Sequence, residues 1–580
     1  MSVRGWLDER TGYRAALARL DAPLAGGPSA WRTLGPLLGF LFLLELVTGL
    51  VLAMYYSPSA SDAWASVAYV EDQVPMGAFV RGLHRWGMSA IVLVIGLHLL
   101  VTAVSGAYRK PRELVWWLGI VLFMLSLAYS VTGFVLRWDQ YGYWATKVEL
   151  AYVVEGPGPG QKIVDALQGG NEFGNLTLTR FYALHVVLLP VLTGLVLWAR
   201  RALTRRLGPG GDARPRGRAW PDQAVRNLLA MVVALAALVA WTLHRGGAGL
   251  EAPADATQAF DARPQWYFRP MFELQKFVSG HAKLLIALGL PVVVLGGLAI
   301  LPLVDRKPVR TARMKWAVTG GLLAMTLFLG WSIVRSYVVD AKDADLQERH
   351  ADAVKQARRA RRLAVENGVP AAGGTAVYTT APFYRARTAW ARDCAACHDE
   401  GDDRKGPLIA AGWNDRAWIK GLLLDPSHDA YFGQVKKIAT ADDAMPKTVA
   451  TPADLDALVE MIYAESGAKD ADAAKAARGQ AVFDSDDDDG DGEDDDGTCT
   501  ACHERTGTES SSGPNLAGRG SPAYLAAFIR NPAEDRFFGV RDEMKAFGKD
   551  KLSDEDLDAL VEYLIWLRTA KPADVAKLDE

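Results

Sequence analysis

The sequence predicts an all-α membrane protein: a seven-span helical bundle followed by two small helical domains. Three observations carry this prediction. Seven apolar runs each reach about 20 residues, the length that crosses a ~30 Å hydrocarbon core at 1.5 Å per residue. The formal net charge of −3 over 580 residues hides a division, with 33 Lys+Arg against 20 Asp+Glu in residues 1–338 and 31 against 47 in residues 339–580. All 4 cysteines fall in two Cys-x-x-Cys pairs of the acidic tail, so none is left for a disulfide framework. A chain of this length also excludes a single small soluble domain.

Residues 1–33 are charged and polar without an apolar core, so they read as an amino-terminal segment ahead of a first span that itself directs insertion. The spans lie near 34–56, 79–105, 114–136, 179–200, 222–243, 283–303 and 314–338. Basic residues resist translocation. The amino-terminal segment and the turns at 109–112, 200–218 and 306–315 hold 20 Lys+Arg, against seven in the loops 57–77, 137–178 and 244–282. The predicted amino terminus is therefore cytoplasmic, and seven spans place residues 339–580 outside, in the periplasm if the bilayer is a bacterial inner membrane.

His84 and His98 lie 14 residues apart on the second span, almost four turns and roughly 21 Å, so both face one side at two membrane depths. Gly35 and Gly49 on the first span and Gly119 and Gly133 on the third repeat that spacing of 14. Intramembrane polar groups are costly and usually functional. Glycines at matching depths let a flat macrocycle approach the backbone, although such pairs also serve helix packing.

These features sit in GPLLGFLFLLELVTGLVLAMYY, LHRWGMSAIVLVIGLHLL, GAYRKPRELVWWLG, VTGFVLRWDQYGYWAT, TRFYALHVVLLP, WPDQAVRNLLAMVV and RPQWYF. In this order and over about residues 30–340, the chain resembles cytochrome b of the quinol:cytochrome c oxidoreductase (cytochrome bc) family. The resemblance implies a four-helix haem bundle at 34–218 and a three-span part at 219–340 that completes quinone pockets. It further implies an outer-side haem b on His84 and His185. Arg85 and Arg180 are candidate propionate partners, or helix-end residues whose charge reaches the interface.

Two departures bear on function. The family's inner haem would use His98 and a second histidine 14–15 residues after His185, but residues 198–201 read Trp-Ala-Arg-Arg and Arg200 takes the matching place. A guanidinium is always protonated and is a poor iron ligand. The glycines Gly35 and Gly119 favour an inner haem that is retained and oddly ligated over an empty pocket. In the outer quinol pocket the family's Pro-Glu-Trp-Tyr is here Pro264-Gln265-Trp266-Tyr267, and an amide cannot take the proton a carboxylate would. Asp139, Tyr141 and Tyr143 are candidate substitutes, or interfacial anchors.

Beyond the spans, 341–378 reads as a charged helix and linker, followed by two similar modules at 379–468 and 469–580. CAACH supplies Cys394, Cys397 and His398, and CTACH supplies Cys499, Cys502 and His503. Cys-x-x-Cys-His marks covalent haem c attachment, with the histidine as one axial ligand. Each motif is followed by a Gly-Pro turn, and each module offers one methionine before its last helix, Met445 at 51 residues after Cys394 and Met544 at 45 after Cys499. Both modules look like class I cytochromes c, with Met–His ligation. The stretch 484–497 has 10 acidic residues of 14 and reads as a solvated loop that steers a basic partner. Asp487, Asp489, Asp491 and Gly492 match a calcium loop's opening, but Thr498 stands where its glutamate belongs.

The expected function is a cytochrome b/c fusion subunit moving electrons from membrane quinol through b and c haems to a cytochrome c or terminal oxidase. No cysteine is free for a Rieske centre, so a separate Rieske iron–sulfur subunit is expected, with the chain a homodimer in a larger complex in the lipid bilayer. Nucleic acid is not expected among the partners. The alternatives are a non-catalytic electron conduit and reverse electron transfer that reduces quinone.

Overall fold

The computed structural model describes residues 2–15, 23–25, 27–156, 158–170, 172–207, 215–307, 310–401, 404–435, 444–485, 499–507, 512–537 and 544–579. Asp487, Asp489, Asp491, Gly492 and Thr498 lie outside them. The chain divides into two units, Met1–Val377 and Tyr378–Glu580.

The first unit contains seven helices long and apolar enough to cross a membrane. With the extra-membrane helices used below, the principal elements are α1 (Leu34–Ala53), α2 (Gly77–Ser105), α3 (Glu113–Val135), α4 (Gln140–Glu155), α5 (Asn175–Leu207), α6 (Ala219–Arg245), α7 (Ala282–Val304), α8 (Ala312–Lys342) and α9 (Ala344–Asn367). Where these helices end, the sequence gives the reason. α2 and α6 stop at Gly106 (φ +72°) and Gly246 (φ +66°), left-handed positions whose N–H groups return to the last-turn carbonyls. α4 starts on Asp139, whose carboxylate accepts from Gly142 N, and α9 on Asp343, which accepts from Leu346 N.

The core is built where α1, α2 and α3 meet, from Leu37, Leu41, Leu83, Ile91, Ile95 and Leu122. A second cluster at the other ends of α2 and α3 joins Leu99, Tyr108 and Trp116 to Val318 and Leu322 of α8. Outward faces are apolar and exposed, as Val292, Val293 and Trp316 are, which fits helices solvated by lipid rather than water. α5 widens to a π turn over Leu184–Leu188 just ahead of Pro190, which has no N–H to give the ladder.

The charged helix α9 does not trail away. Arg361 pairs with Asp72 and Arg349 with Asp261, so α9 lies on the loops between α1 and α2 and between α6 and α7. Those loops and α9 therefore share one end of the bundle, as the distribution of basic residues requires.

The second unit is helical: α10 (Tyr384–Asp393), α11 (Arg416–Leu424), α12 (Pro452–Glu465), α13 (Ala473–Phe483), α14 (Pro522–Arg530) and α15 (Asp554–Thr569). Side-chain caps start five of them, from Asp415, Thr451, Asp472, Ser521 and Ser553. Its cores do not coincide with the two sequence modules. Ala386 and Ala389 of α10 pack with α14 and α15, while α11, α12 and Phe483 of α13 form the other cluster.

Candidate functional site

Within the first unit, His84 of α2 faces His185 of α5 with ring centroids 6.2 Å apart. Two metal–imidazole bonds of ~2.0 Å, with about 1.1 Å from each nitrogen to its ring centre, span about 6 Å. The gap fits one iron held between the rings. A threonine supports each imidazole. Thr48 Oγ1 lies 3.0 Å from His84 Nδ1 and gives its own proton to the Leu44 carbonyl at 2.7 Å. Thr132 Oγ1 lies 2.9 Å from His185 Nδ1 and donates to Ala128 O at 2.8 Å. Each hydroxyl proton is thus committed to the helix, so each threonine accepts from Nδ1–H, and Nε2 is left with its lone pair for a metal.

The next residue in each case is the glycine picked out by spacing. A Cβ on Gly49 would stand 3.1 Å from His84 Cε1, and one on Gly133 3.0 Å from His185 Cε1. Glu45, inside the apolar α1, brings a carboxyl oxygen 3.0 Å from His84 Nδ1, a further partner that fixes the orientation of that ring. A lone acid inside an apolar span was the sequence signal for it, and the sequence reading passed over it.

A cavity of about 470 Å³ joins this level to the loop before α7, lined by His84, His185, Arg85, Arg137, Gln265 and Tyr267. Arg85 donates to the Ala248 carbonyl and borders the cavity, as a propionate partner would. Arg180 does not; its guanidinium donates to the Asp165 and Ala166 carbonyls, capping the end of the helix Gly160–Gln168. Arg137, unmarked in the sequence, takes its place on the cavity wall, 4.9 Å over the Tyr141 ring.

The level of His98 differs. Arg200 Nη2 donates to His98 Nε2 at 2.7 Å, so the nitrogen that would bind iron is occupied by a guanidinium proton. Gly119 faces Leu99, 3.3 Å from a would-be Cβ, and nothing lies within 4 Å of one on Gly35. This donor set does not fit a second bis-histidine haem, in contrast to the open spacing of His84 and His185.

In the loop before α7, Gln265 Nε2 donates to Tyr141 OH at 3.3 Å and Tyr267 OH pairs with Ser130 Oγ. Trp266 packs on Tyr267, ring centroids 5.3 Å apart. Asp139 is fully buried, and both its oxygens are used: Oδ1 accepts from Gly142 N at 2.8 Å, and Oδ2 accepts from Glu251 N at 3.1 Å. It anchors the loop rather than offering a base. Tyr143 packs among Trp138, Trp144 and Phe173, an aromatic anchor. Of the three expected substitutes, Tyr141 alone meets Gln265.

The acid on the cavity wall is Glu45; a second acid, Glu149 of α4, acts on the tyrosines of this loop without lining the cavity. Its Oε2 is buried without a hydrogen-bond partner, and its charge acts on the hydroxyls of Tyr141 and Tyr267. Burial pushes its carboxyl up to about 7.

In the second unit, His398 Nδ1 is 2.9 Å from Pro407 O and His503 Nδ1 is 2.8 Å from Pro514 O. A carbonyl only accepts, so both imidazoles carry the proton on Nδ1 and present Nε2. The preceding glycines make room: a Cβ on Gly406 would be 2.6 Å from His398 Cε1 and one on Gly513 2.7 Å from His503 Cε1. Cys394, Cys397, Cys499 and Cys502 are unbridged and half-buried. Met445 and Met544 both border apolar cores. Both motifs suit attached haem, with free thiols and an imidazole fixed in the ligating tautomer.

The chain is similar in sequence to known proteins. The family described as Cytochrome b/b6/petB matches residues 20–205, and Cytochrome b(C-terminal)/b6/petD matches residues 253–340. Cytochrome C oxidase, cbb3-type, subunit III matches residues 474–564. The chain is 32% identical over 317 residues to the cytochrome bc complex cytochrome b subunit of Chlorobaculum thiosulfatiphilum, covering 52% of this chain and 72% of that one. It is 39% identical over 210 residues to cytochrome b6 of Porphyra purpurea, covering 36% of this chain and 98% of that one. Among solved structures, a chain of a hyperthermophilic respiratory Complex III aligns with a TM-score of 0.48 at 21% identity, over 60% of this chain and 99% of that one.

Proposed function

The chain belongs to the cytochrome b/b6 family and continues into cytochrome c sequence; from that premise we propose that it oxidises membrane quinol at its outer pocket and delivers electrons through haem b and haem c to an external cytochrome c or oxidase. It is a multi-pass membrane subunit of an oxidoreductase, and haem b and haem c are its implied cofactors. The observation that carries the reading is the His84–His185 pair, set at 6.2 Å with mirrored Thr and Gly supports, in the same cavity as Gln265 and Tyr267.

In this reading His84 and His185 would hold one b haem, which would take one of the quinol's two electrons, the other passing to the separate Rieske iron–sulfur subunit. Tyr267 and Gln265 bind and orient the quinol oxygen. Glu149 takes the proton that Gln265 cannot, because a carboxyl held near neutrality is matched to proton abstraction at neutral pH. Arg85 and Arg137, both on the cavity wall, would supply positive charge for the haem's carboxylates. With Arg200 on His98, no second b haem completes a path to the inner face, so the outer route operates without a cross-membrane cycle. A separate Rieske iron–sulfur subunit and a homodimeric assembly are the expected company, with the cytochrome c unit in the periplasm.

A pyridine haemochrome count on the purified chain, followed by reduction with a quinol analogue, tests this. One b haem per two c haems, with the c haems reduced by quinol, is the expected result. Two b haems would restore the inner site, and failure of quinol to reduce the c haems would leave an electron conduit.

A further inference from the structure

The two haem-attachment motifs lie in series along the chain, and series order would close each with the next methionine downstream. The packing is crossed. α10, which leads into Cys394, lays Ala386 and Ala389 against Leu557, Leu560, Val561 and Leu564 of α15; Cys394, Trp390 and Met544 pack on this cluster. α13, which leads toward Cys499, packs Phe483 into Leu455, Leu458, Val459 and Ile462 of α12; Cys499 and Met445 pack on that one. Each cysteine motif therefore shares its core with the methionine of the other stretch of chain.

Polar contacts follow the same crossing. Arg385 reaches Glu555 at 2.6 Å and Asp556 at 3.0 Å, and Gly412 N donates to Leu567 O at 2.8 Å. On the other side Arg478 meets Asp454 at 2.9 Å, and Arg505 and Gly518 N meet the two oxygens of Glu465, each at 2.8 Å. The α12–α13 contact is intimate, since a Cβ on Gly479 would sit 2.0 Å from Ala457 O.

Chain entropy gives the reason. α12 and α13 are joined by only residues 466–472, and closing so short a connection costs little compared with bringing distant segments together. Once α12 is spent on α13, α10 is left to pair with α15 at the far end of the unit.

Resting on the reading of both motifs as haem c sites, we propose that the axial methionines are exchanged: Met544 completes the site of Cys394, Cys397 and His398, and Met445 completes the site of Cys499, Cys502 and His503. The thioether is the soft sixth donor that raises a haem's potential above that of a five-coordinate or water-ligated site. Neither module can then complete its ligand set alone.

The test uses the full chain with Cys499→Ala and Cys502→Ala, which retains the haem of the first motif. A haemochrome count falling from two c haems to one establishes the underlying reading; an unchanged count would refute that reading and not the exchange. In this background Met544→Ala is expected to abolish the ferric methionine–iron charge-transfer band and lower the remaining potential, and Met445→Ala to leave both. The reverse pattern, or a band lost or kept in both variants, overturns the exchange. The reciprocal background, Cys394→Ala with Cys397→Ala, must give the mirror result. If either background fails to fold, Met544→His in the otherwise intact chain serves instead. The expected result there is a methionine-to-histidine spectral change confined to the haem peptide containing Cys394, and a change at the Cys499 peptide overturns the proposal.

Discussion

Glu149→Gln separates a proton-accepting role from a packing role. The carboxyl is pushed from 4.5 up to about 7 by burial. As a base it must be ionised, so quinol oxidation is expected to rise about tenfold per pH unit below 7 and level off above it, with about 1% of the carboxyl ionised at pH 5. Removing a positioned general base costs about 10²–10⁴ in rate, so Glu149→Gln should fall by that factor at pH 8 and lose the titration near 7. Stability should move the other way. Because the folded pKa lies above the unfolded one, the folded protein binds more protons between pH 4.5 and 7, and stability drops with rising pH across that window, by up to about 3 kcal/mol. Glu149→Gln, which stays neutral, should therefore unfold at a higher temperature than the parent at pH 8 and at nearly the same temperature at pH 4.5. The assay is steady-state reduction of the c haems by a quinol analogue from pH 5 to 9, with a parallel thermal melt. A variant with the parent rate and pH profile refutes the assignment; a variant that loses rate and stability together shows that Glu149 is structural.

Two further outcomes follow from the haem levels. Arg200→His removes the donor on His98 Nε2 and offers a second imidazole, so the haemochrome ratio should rise from one b haem to two per two c haems; an unchanged ratio would mean that more than Arg200 closes the inner level. Gly133→Val places carbon where 3.0 Å already separates a Cβ from the His185 ring, an overpacking of about 1–3 kcal/mol. It should lose haem b and keep both c haems, and retention of the b spectrum at parental stoichiometry would refute the need for that glycine.

Much of the site could be read in the sequence because its chemistry is periodic. Spacings of 14 put His84, Gly49 and Gly133 at one depth, and Cys-x-x-Cys-His is self-contained over five residues. Glu45 carried a readable signal as an acid within an apolar run. Glu149 carried none, since an acid on a helix outside the apolar spans is ordinarily solvated, and its burial is a product of the fold around it. Arg180 is drawn off the cavity by the carbonyls that end the helix Gly160–Gln168, while Arg137, unmarked in the sequence, lines it.

The sequence by itself determined the seven spans, the side on which the basic loops gather and both cysteine motifs, because each is a local pattern of length, period or spacing; the pairing of His84 with His185 came from the family resemblance. Tertiary structure alone decided that Arg200 bonds to His98, that Asp139 spends both oxygens on backbone amides, and that α10 pairs with α15 rather than with the nearer α12. Such choices are made by competition between segments for one partner. The winner depends on connector length and on which groups lose their water together, and neither is written at any single position of the chain.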